Sequence, residues 1–372
     1  MVWVHEVKEL DYNIPKDPIE PRVNMASNLE LTTSENLPEL TDFLLEVFRM
    51  NRDAPFVRPE MMRWKYFEPR PDWNGPRSYL MFREDRIFAH GCVVPETFRT
   101  PSGRVTSMRV IDWAGSRNVP AAGVLMMRKL AEFTDTALAI GGSPDAVRVL
   151  PRMKFDHRGD VDVWVRVVRP WRQFRTDPFP RGWKAPLRLA RNTLWSRAPM
   201  PAPPPGWTAT RVERFGDELT RALGFQPKSF TTTERSAGML NYMLSCPGSA
   251  FSGFVLLQGE RVRGHCMLSR VSGQTRIAEV WVDSEQPEDW QAAFGLATLQ
   301  AADDPETCEI VAVTSITPGR EALRRNGYRY RRNDPIFILD PQRRLTDAPE
   351  LNLNLFAGDE SYLCVPSYPY ET

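Results

Sequence analysis

Apolar and polar positions follow one another in the same way in the two halves of the chain. Ser78-Tyr-Leu-Met-Phe82 passes through Arg83-Glu-Asp85 into Arg86-Ile-Phe-Ala-His-Gly-Cys92. Gly253-Phe-Val-Leu-Leu257 passes through Gln258-Gly-Glu260 into Arg261-Val-Arg-Gly-His-Cys266. Short apolar runs joined by a charged or glycine-bearing link predict strand, tight turn and strand in each half. The flanks repeat as well. Helical spacing of apolar residues covers 37–50 and 58–67 in the first half, and 217–223 and 232–244 in the second. Third strands are predicted at 105–113 and 275–281, helices at 121–134 and 290–302, and short apolar strands at 137–140 and 310–314. Short helices at 145–153 and 319–325 and β-rich endings at 160–168 and 328–339 complete a β-α-α-β-β-β-α-β-α-β unit that occurs twice.

Between the repeats, Ala198-Pro-Met-Pro-Ala-Pro-Pro-Pro-Gly206 has the stiff composition of a spacer and puts the boundary near residue 200. The organisation expected is an N-terminal extension over 1–26, a first domain over 27–170, a basic then proline-rich linker over 171–206, a second domain over 207–345 and a tail over 346–372. The linker carries Arg181, Lys184, Arg188, Arg191 and Arg197 interleaved with Trp183, Leu187, Leu189, Leu194 and Trp195, with no acid over 181–197. Such a helix suits peripheral contact with an anionic surface. A linker helix packing its apolar side on one domain is the preferred reading.

With 42% hydrophobic and 26% charged residues, the chain has the composition of a soluble globular protein. Its 48 basic residues nearly balance 47 acidic ones, which removes the global footprint of a dedicated DNA binder. No apolar run approaches the roughly 18 residues of a membrane span, and residues 1–21 mix charges with prolines, so a cytoplasmic location is expected. Cys92, Cys246, Cys266, Cys308 and Cys364 form no CxxC pair, and neither a disulfide framework nor a metal site is expected.

The element order resembles the GNAT acyltransferase superfamily. The resemblance implies an α/β (α+β) fold of two tandem GNAT-like units, each a mixed, mainly antiparallel sheet flanked by helices. In that family, backbone amides of the loop after the fourth strand hold the pyrophosphate of acetyl-CoA or another acyl-CoA. Small residues at a helix N-terminus present unpaired N–H groups and the positive end of the helix dipole to an anion. The matching stretch is Asn118-Val-Pro-Ala-Ala-Gly123 followed by Val124, after Val110-Ile-Asp-Trp113. Val110, Ile111, Asn118, Ala121, Ala122, Gly123 and Val124 are therefore the implied cofactor-binding set. Asn118 replaces the usual Arg or Gln, and Ala121 the first glycine. The second repeat has Ser284-Glu-Gln-Pro-Glu-Asp-Trp290 there, without glycine and with Glu285, Glu288 and Asp289 where a pyrophosphate would lie.

Asp112, at the end of the fourth strand, is the candidate general base for an amine. Its counterpart by sequence is Val280. Ser143, in Gly141-Gly-Ser-Pro-Asp145, is a candidate for positioning the acceptor, although Ser-Pro-Asp is also an ordinary helix start. Leu150 and Leu323 stand where the family carries its general-acid tyrosine. His90 and His265 recur at equivalent strand positions, which points to a structural role. The leading expectation is a CoA-dependent N-acyltransferase with catalysis in the first domain. Its partner is a small amine acceptor, by resemblance an envelope or polysaccharide precursor. The alternatives are a non-catalytic scaffold, or a FemAB-like transferase drawing on aminoacyl-tRNA.

Overall fold

The structure is a computed structural model that describes residues 29–100, 102–177, 183–345, 350–359, 361 and 370–372. The expected extension over 1–26, Arg181, Cys364 and much of the tail lie outside them. In chain order the first half forms β1 (Leu29–Leu31), α1 (Leu37–Phe48), α2 (Pro59–Tyr66), β2 (Ser78–Arg83), β3 (Arg86–Thr100) and β4 (Gly103–Gly115). Next come α3 (Ala122–Leu130), β5 (Thr136–Ile140), α4 (Pro144–Val149) and β6 (Asp156–Val167). Helices α5 (Pro170–Thr176) and α6 (Ala185–Trp195) lead to β7 (Trp207–Val212), α7 (Thr220–Leu223), β8 (Thr231–Thr233) and α8 (Ala237–Leu244). The second half continues with β9 (Ala250–Gln258), β10 (Arg261–Val271), β11 (Gln274–Val282) and α9 (Pro287–Asp303). It ends with β12 (Glu309–Thr314), α10 (Thr317–Arg325), β13 (Arg329–Leu339) and β14 (Leu351–Asn352).

Two compact units emerge. Among the described residues, the first comprises those of 29–97, 105–158 and 335–345, and the second those of 98–104, 159–334 and 350–372. The sheet of the first runs β1-β2-β3-β4-β5-β13, and of its β1/β2, β2/β3, β4/β5 and β5/β13 pairs only β4/β5 is parallel. Helix α1 buries Leu40, Phe43 and Leu44 at spacings of one helical turn. The core of this unit also gathers Tyr79, Met81, Met108, Met126, Leu130 and Phe337. The sheet of the second runs β6-β12-β11-β10-β9-β7, again with one parallel pair, β11/β12. Helix α9 carries buried residues over most of its length, Trp290, Ala293 and Ala297 among them.

The last strand of each repeat is exchanged. β6 follows the first repeat in sequence, yet pairs with β12 from Asp162↔Thr314 to Val167↔Glu309. β13 closes the second repeat in sequence, yet pairs with β5 from Ile336↔Ile140 to Leu339↔Ala137. Linear domains over 27–170 and 207–345 do not contain this crossing. The proline-rich stretch also differs from a free spacer, because Arg166 donates to the carbonyls of Ala198 at 2.8 Å and Pro199 at 2.9 Å.

Candidate functional site

In the first unit β4 and β5 pair only through Ser107↔Thr136 and Met108↔Ala137. β4 runs on to Gly115 and β5 to Ile140, so the two strands part after Met108. Val110 and Ile111, both half-buried, lie on the diverging segment. Asp112 comes next with φ 49°, a left-handed conformation inside a strand.

The chain then turns through 116–121 into α3. Asn118 is exposed, and its N–H reaches the Ser116 hydroxyl at 3.3 Å. Ala121 is left-handed at φ 59° and precedes the first turn of the helix. The Ala122 N–H goes to the Val119 carbonyl at 3.2 Å. Helix geometry leaves the next two donors, on Gly123 and Val124, without intrahelical acceptors. Trp113 pins this turn by donating its indole N–H to the Gly123 carbonyl at 2.7 Å. Gly115 matters here because a Cβ on it would lie 2.4 Å from the Gly123 nitrogen, so only glycine lets the end of β4 pack this closely against the helix start. The proposed loop residues thus converge on one helix start. Ala122 itself is buried, which makes it part of the core as well as of the loop.

Asp112 is not a free carboxylate. Lys65 of α2 is ion-paired with its Oδ2, and Tyr66 donates its hydroxyl to the same oxygen at 2.6 Å. Lys65 also donates to the Phe56 carbonyl at 2.9 Å. His90 Nδ1 lies 2.9 Å from the Asp112 carbonyl oxygen, which can only accept, so Nδ1 carries the proton. Burial pushes the His90 imidazole down to about 4, against the upward pull of the Asp112 charge, so the ring is neutral near pH 7. Its Nε2 therefore accepts from the Ser78 hydroxyl at 2.9 Å, and Thr32 donates to Ser78 at 2.6 Å. A carboxylate already neutralised and hydrogen-bonded in a dry interior is arranged for structure rather than for taking a proton from an incoming amine. Lys65 was not singled out from the sequence. Its spacing of four residues from Met61 and three from Met62, both buried, is the signal that places it on the inward face.

Ser143 caps α4, accepting the Ala146 N–H at 3.2 Å, with Pro144 at the first helical position. Its partner is thus the start of its own helix and not Asp112. Leu150 and Leu323 are fully buried core residues.

The second unit parts its strands in the same manner. β11 pairs with β12 from Gln274↔Glu309 to Ile277↔Ala312 and then runs on to Val282. Side chains of this unit itself occupy the space beyond Val282. Asp283 is ion-paired with Arg261 at 2.6 Å and also with Arg263, which reaches Asp289 at 2.9 Å. Glu285 accepts from the backbone of Lys228 and Ser229 and from the Ser229 hydroxyl. A buried acid is also present here, on Glu279 rather than Val280. Glu279 takes Arg235 at 2.9 Å and His265 Nε2 at 3.1 Å. Burial alone would raise its carboxyl, but Arg235 and His265 outweigh that and hold it at about 2. A strand acid near the recurring histidine is therefore common to both units, and its presence in the first alone is not a mark of catalysis. Among the described residues no cluster of His, Cys, Asp and Glu suited to a metal ion occurs, and no helix is long and apolar enough to cross a membrane.

No protein family and no curated protein matches the sequence. Solved structures do share the fold. A probable N-acyltransferase from Enterococcus faecalis is 10% identical with a TM-score of 0.54, over 84% of this chain and 71% of its own. A GCN5-related N-acetyltransferase from Anabaena variabilis is 12% identical with a TM-score of 0.54, over 84% and 72%. The N-myristoyltransferase of Saccharomyces cerevisiae, solved with bound myristoyl-CoA, is 12% identical with a TM-score of 0.54, over 90% and 87%. The fold is thus that of the GNAT-related acyltransferases.

Proposed function

We propose that the first unit binds an acyl-CoA and transfers its acyl group to an amine. The observation that carries this reading is the parting of β4 from β5 after Met108 beside a helix start whose Gly123 and Val124 N–H groups have no intrahelical acceptor. Those two N–H groups would hold the pyrophosphate, with the α3 dipole favouring the negative charge. The β5-facing edge of β4 beyond Met108 would take the amides of the pantetheine arm. In the transfer, the amine lone pair attacks the thioester carbonyl, the C–N bond forms, the C–S bond breaks and coenzyme A leaves as thiolate. With Asp112 committed to Lys65 and leucine at the usual acid position, the ammonium proton passes to water and the thiolate is protonated by solvent. Rate then rests on positioning and on backbone N–H groups near the developing oxyanion.

The second unit is proposed to bind no coenzyme A, because Asp283, Glu285 and Asp289 and their partners fill the corresponding place. Binding without turnover is the second reading, favoured by the commitment of Asp112 to an ion pair.

The test is calorimetric titration with acetyl-CoA and longer acyl-CoAs. Micromolar binding is expected. Asn118→Glu, an exposed change that puts a negative charge beside the pyrophosphate, should weaken it by about tenfold or more, while Glu288→Ala should leave it unchanged. Absence of binding to every acyl-CoA would overturn the reading and favour a scaffold or a tRNA-dependent transferase. Binding with no acyl transfer to any amine would favour the second reading.

A further inference from the structure

Helix α6 presents its apolar stripe to water. Trp183, in the turn before it, and Leu187, Ala190 and Leu194 recur at spacings of four, three and four residues, which is one face of a helix. All four are exposed, Trp183 at 78%, Leu187 at 63% and Leu194 at 62%. The opposite side is the buried one, and it is partly polar. There Asn192 is buried and donates to Gln173 at 2.9 Å and to the Thr372 hydroxyl at 3.3 Å, and Arg188 pairs with Asp177. A linker helix that packed its apolar side on its own domain would show the reverse. Helix α5, which packs against α6, adds Trp171 at 60% exposure.

Charge decides what covers such a stripe. The sequence from Pro178 to Val212 contains no acid. Lys184 and Arg197 are exposed at the two ends of the helix, while the half-buried Arg191 is stacked on Trp195 at 4.7 Å and donates to Asn192 Oδ1 at 2.9 and 3.0 Å. Exposed tryptophan and leucine bracketed by cations match the boundary of a bilayer, where indoles settle at headgroup level and Lys and Arg meet anionic lipid. A second copy related by a two-fold axis would set the same cations against each other. A nucleic acid would use the charge and leave the leucines in water.

We propose that α6 and the turn before it dock on an anionic lipid surface, Trp183, Leu187 and Leu194 entering the headgroup boundary and Lys184 and Arg197 facing the lipid phosphates and carboxylates. This stands apart from the acyl-transfer reading. The experiment is flotation of the full chain with vesicles of phosphatidylcholine alone and of phosphatidylcholine mixed with phosphatidylserine, at physiological salt. The protein should rise with the mixed vesicles only, with a blue shift of tryptophan emission. The triple variant Trp183→Ser, Leu187→Ser, Leu194→Ser should lose binding by about a hundredfold or more while melting like the parent protein, since all three side chains are exposed. Lys184→Gln and Arg197→Gln should each weaken it about fivefold. Failure to float with the mixed vesicles, or equal flotation of the triple variant, overturns the proposal. Sedimentation showing a dimer that the triple variant breaks, without vesicle binding, assigns the face to a second copy and overturns it as well.

Discussion

Asp112 combines a left-handed backbone, a buried carboxylate and a lysine partner 47 positions away in sequence. A non-glycine residue held at positive φ costs on the order of 1–3 kcal/mol and persists where its surroundings determine it. Here the surroundings are Lys65, Tyr66 and the carbonyl contact to His90. Removing one partner of a buried ion pair strands the other, at a cost of about 3–5 kcal/mol. Asp112→Asn should therefore lower the free energy of urea unfolding by roughly that amount. Adding Lys65→Met to Asp112→Asn should recover most of the loss, because no buried charge is then left uncompensated. An unfolding midpoint unmoved by Asp112→Asn, together with a large fall in turnover, would return this residue to the role of a free base. The sequence offered Asp112 as chemistry because it ends a strand before the proposed loop. Its partner on α2 is a contact that spacing along the chain cannot reveal.

The hairpins β2/β3 and β9/β10 were legible because alternation and turn chemistry are local. Registers such as Leu80↔His90 and Val255↔His265 put the recurring histidines at matching places. The repeat endings were legible for a backbone reason. Lys154 and Gly327 both adopt positive φ, 68° and 79°, before the aromatic residues Phe155 and Tyr328. The exchange of β6 and β13 was not legible, since both are β-rich runs of similar pattern and the choice of neighbour is a long-range matter. Nor did the pattern show that α6 faces outward, because burial depends on what the helix lands on. The two units differ in electrostatics in a way that pH separates. His90 sits at about 4 in the folded chain against an ordinary 6.5, so the unfolded chain binds the extra proton between those values. The stability it supports is present above pH 6.5 and is lost as pH falls toward 4, about 3 kcal/mol across the window. Glu279 sits at about 2 against 4.5, so its contribution is present above pH 4.5 and is lost as pH falls toward 2. Urea midpoints measured against pH should show His90→Gln flattening the upper window alone and Glu279→Gln the lower alone. Identical profiles in both variants would contradict this assignment.

At the scale of the molecule, one architecture is used twice with different ends in view. Each unit parts its parallel strand pair, after Met108 in the first and after Ile277 in the second. Only in the first does the parting lead to Ala121, Ala122 and Gly123 at a helix start. The second fills the same place with acids and arginines that satisfy one another. Backbone pattern made the repeat visible from sequence, and the glycine-free, acid-rich loop made the asymmetry visible. The pairing of those acids needed three dimensions. Hydrogen exchange of the backbone amides with and without acyl-CoA tests the asymmetry most directly. Protection should rise over residues 116–124, greatest at Gly123 and Val124, and stay unchanged over residues 283–290. Protection gained in the second segment, or saturating acyl-CoA that protects neither, would contradict the account.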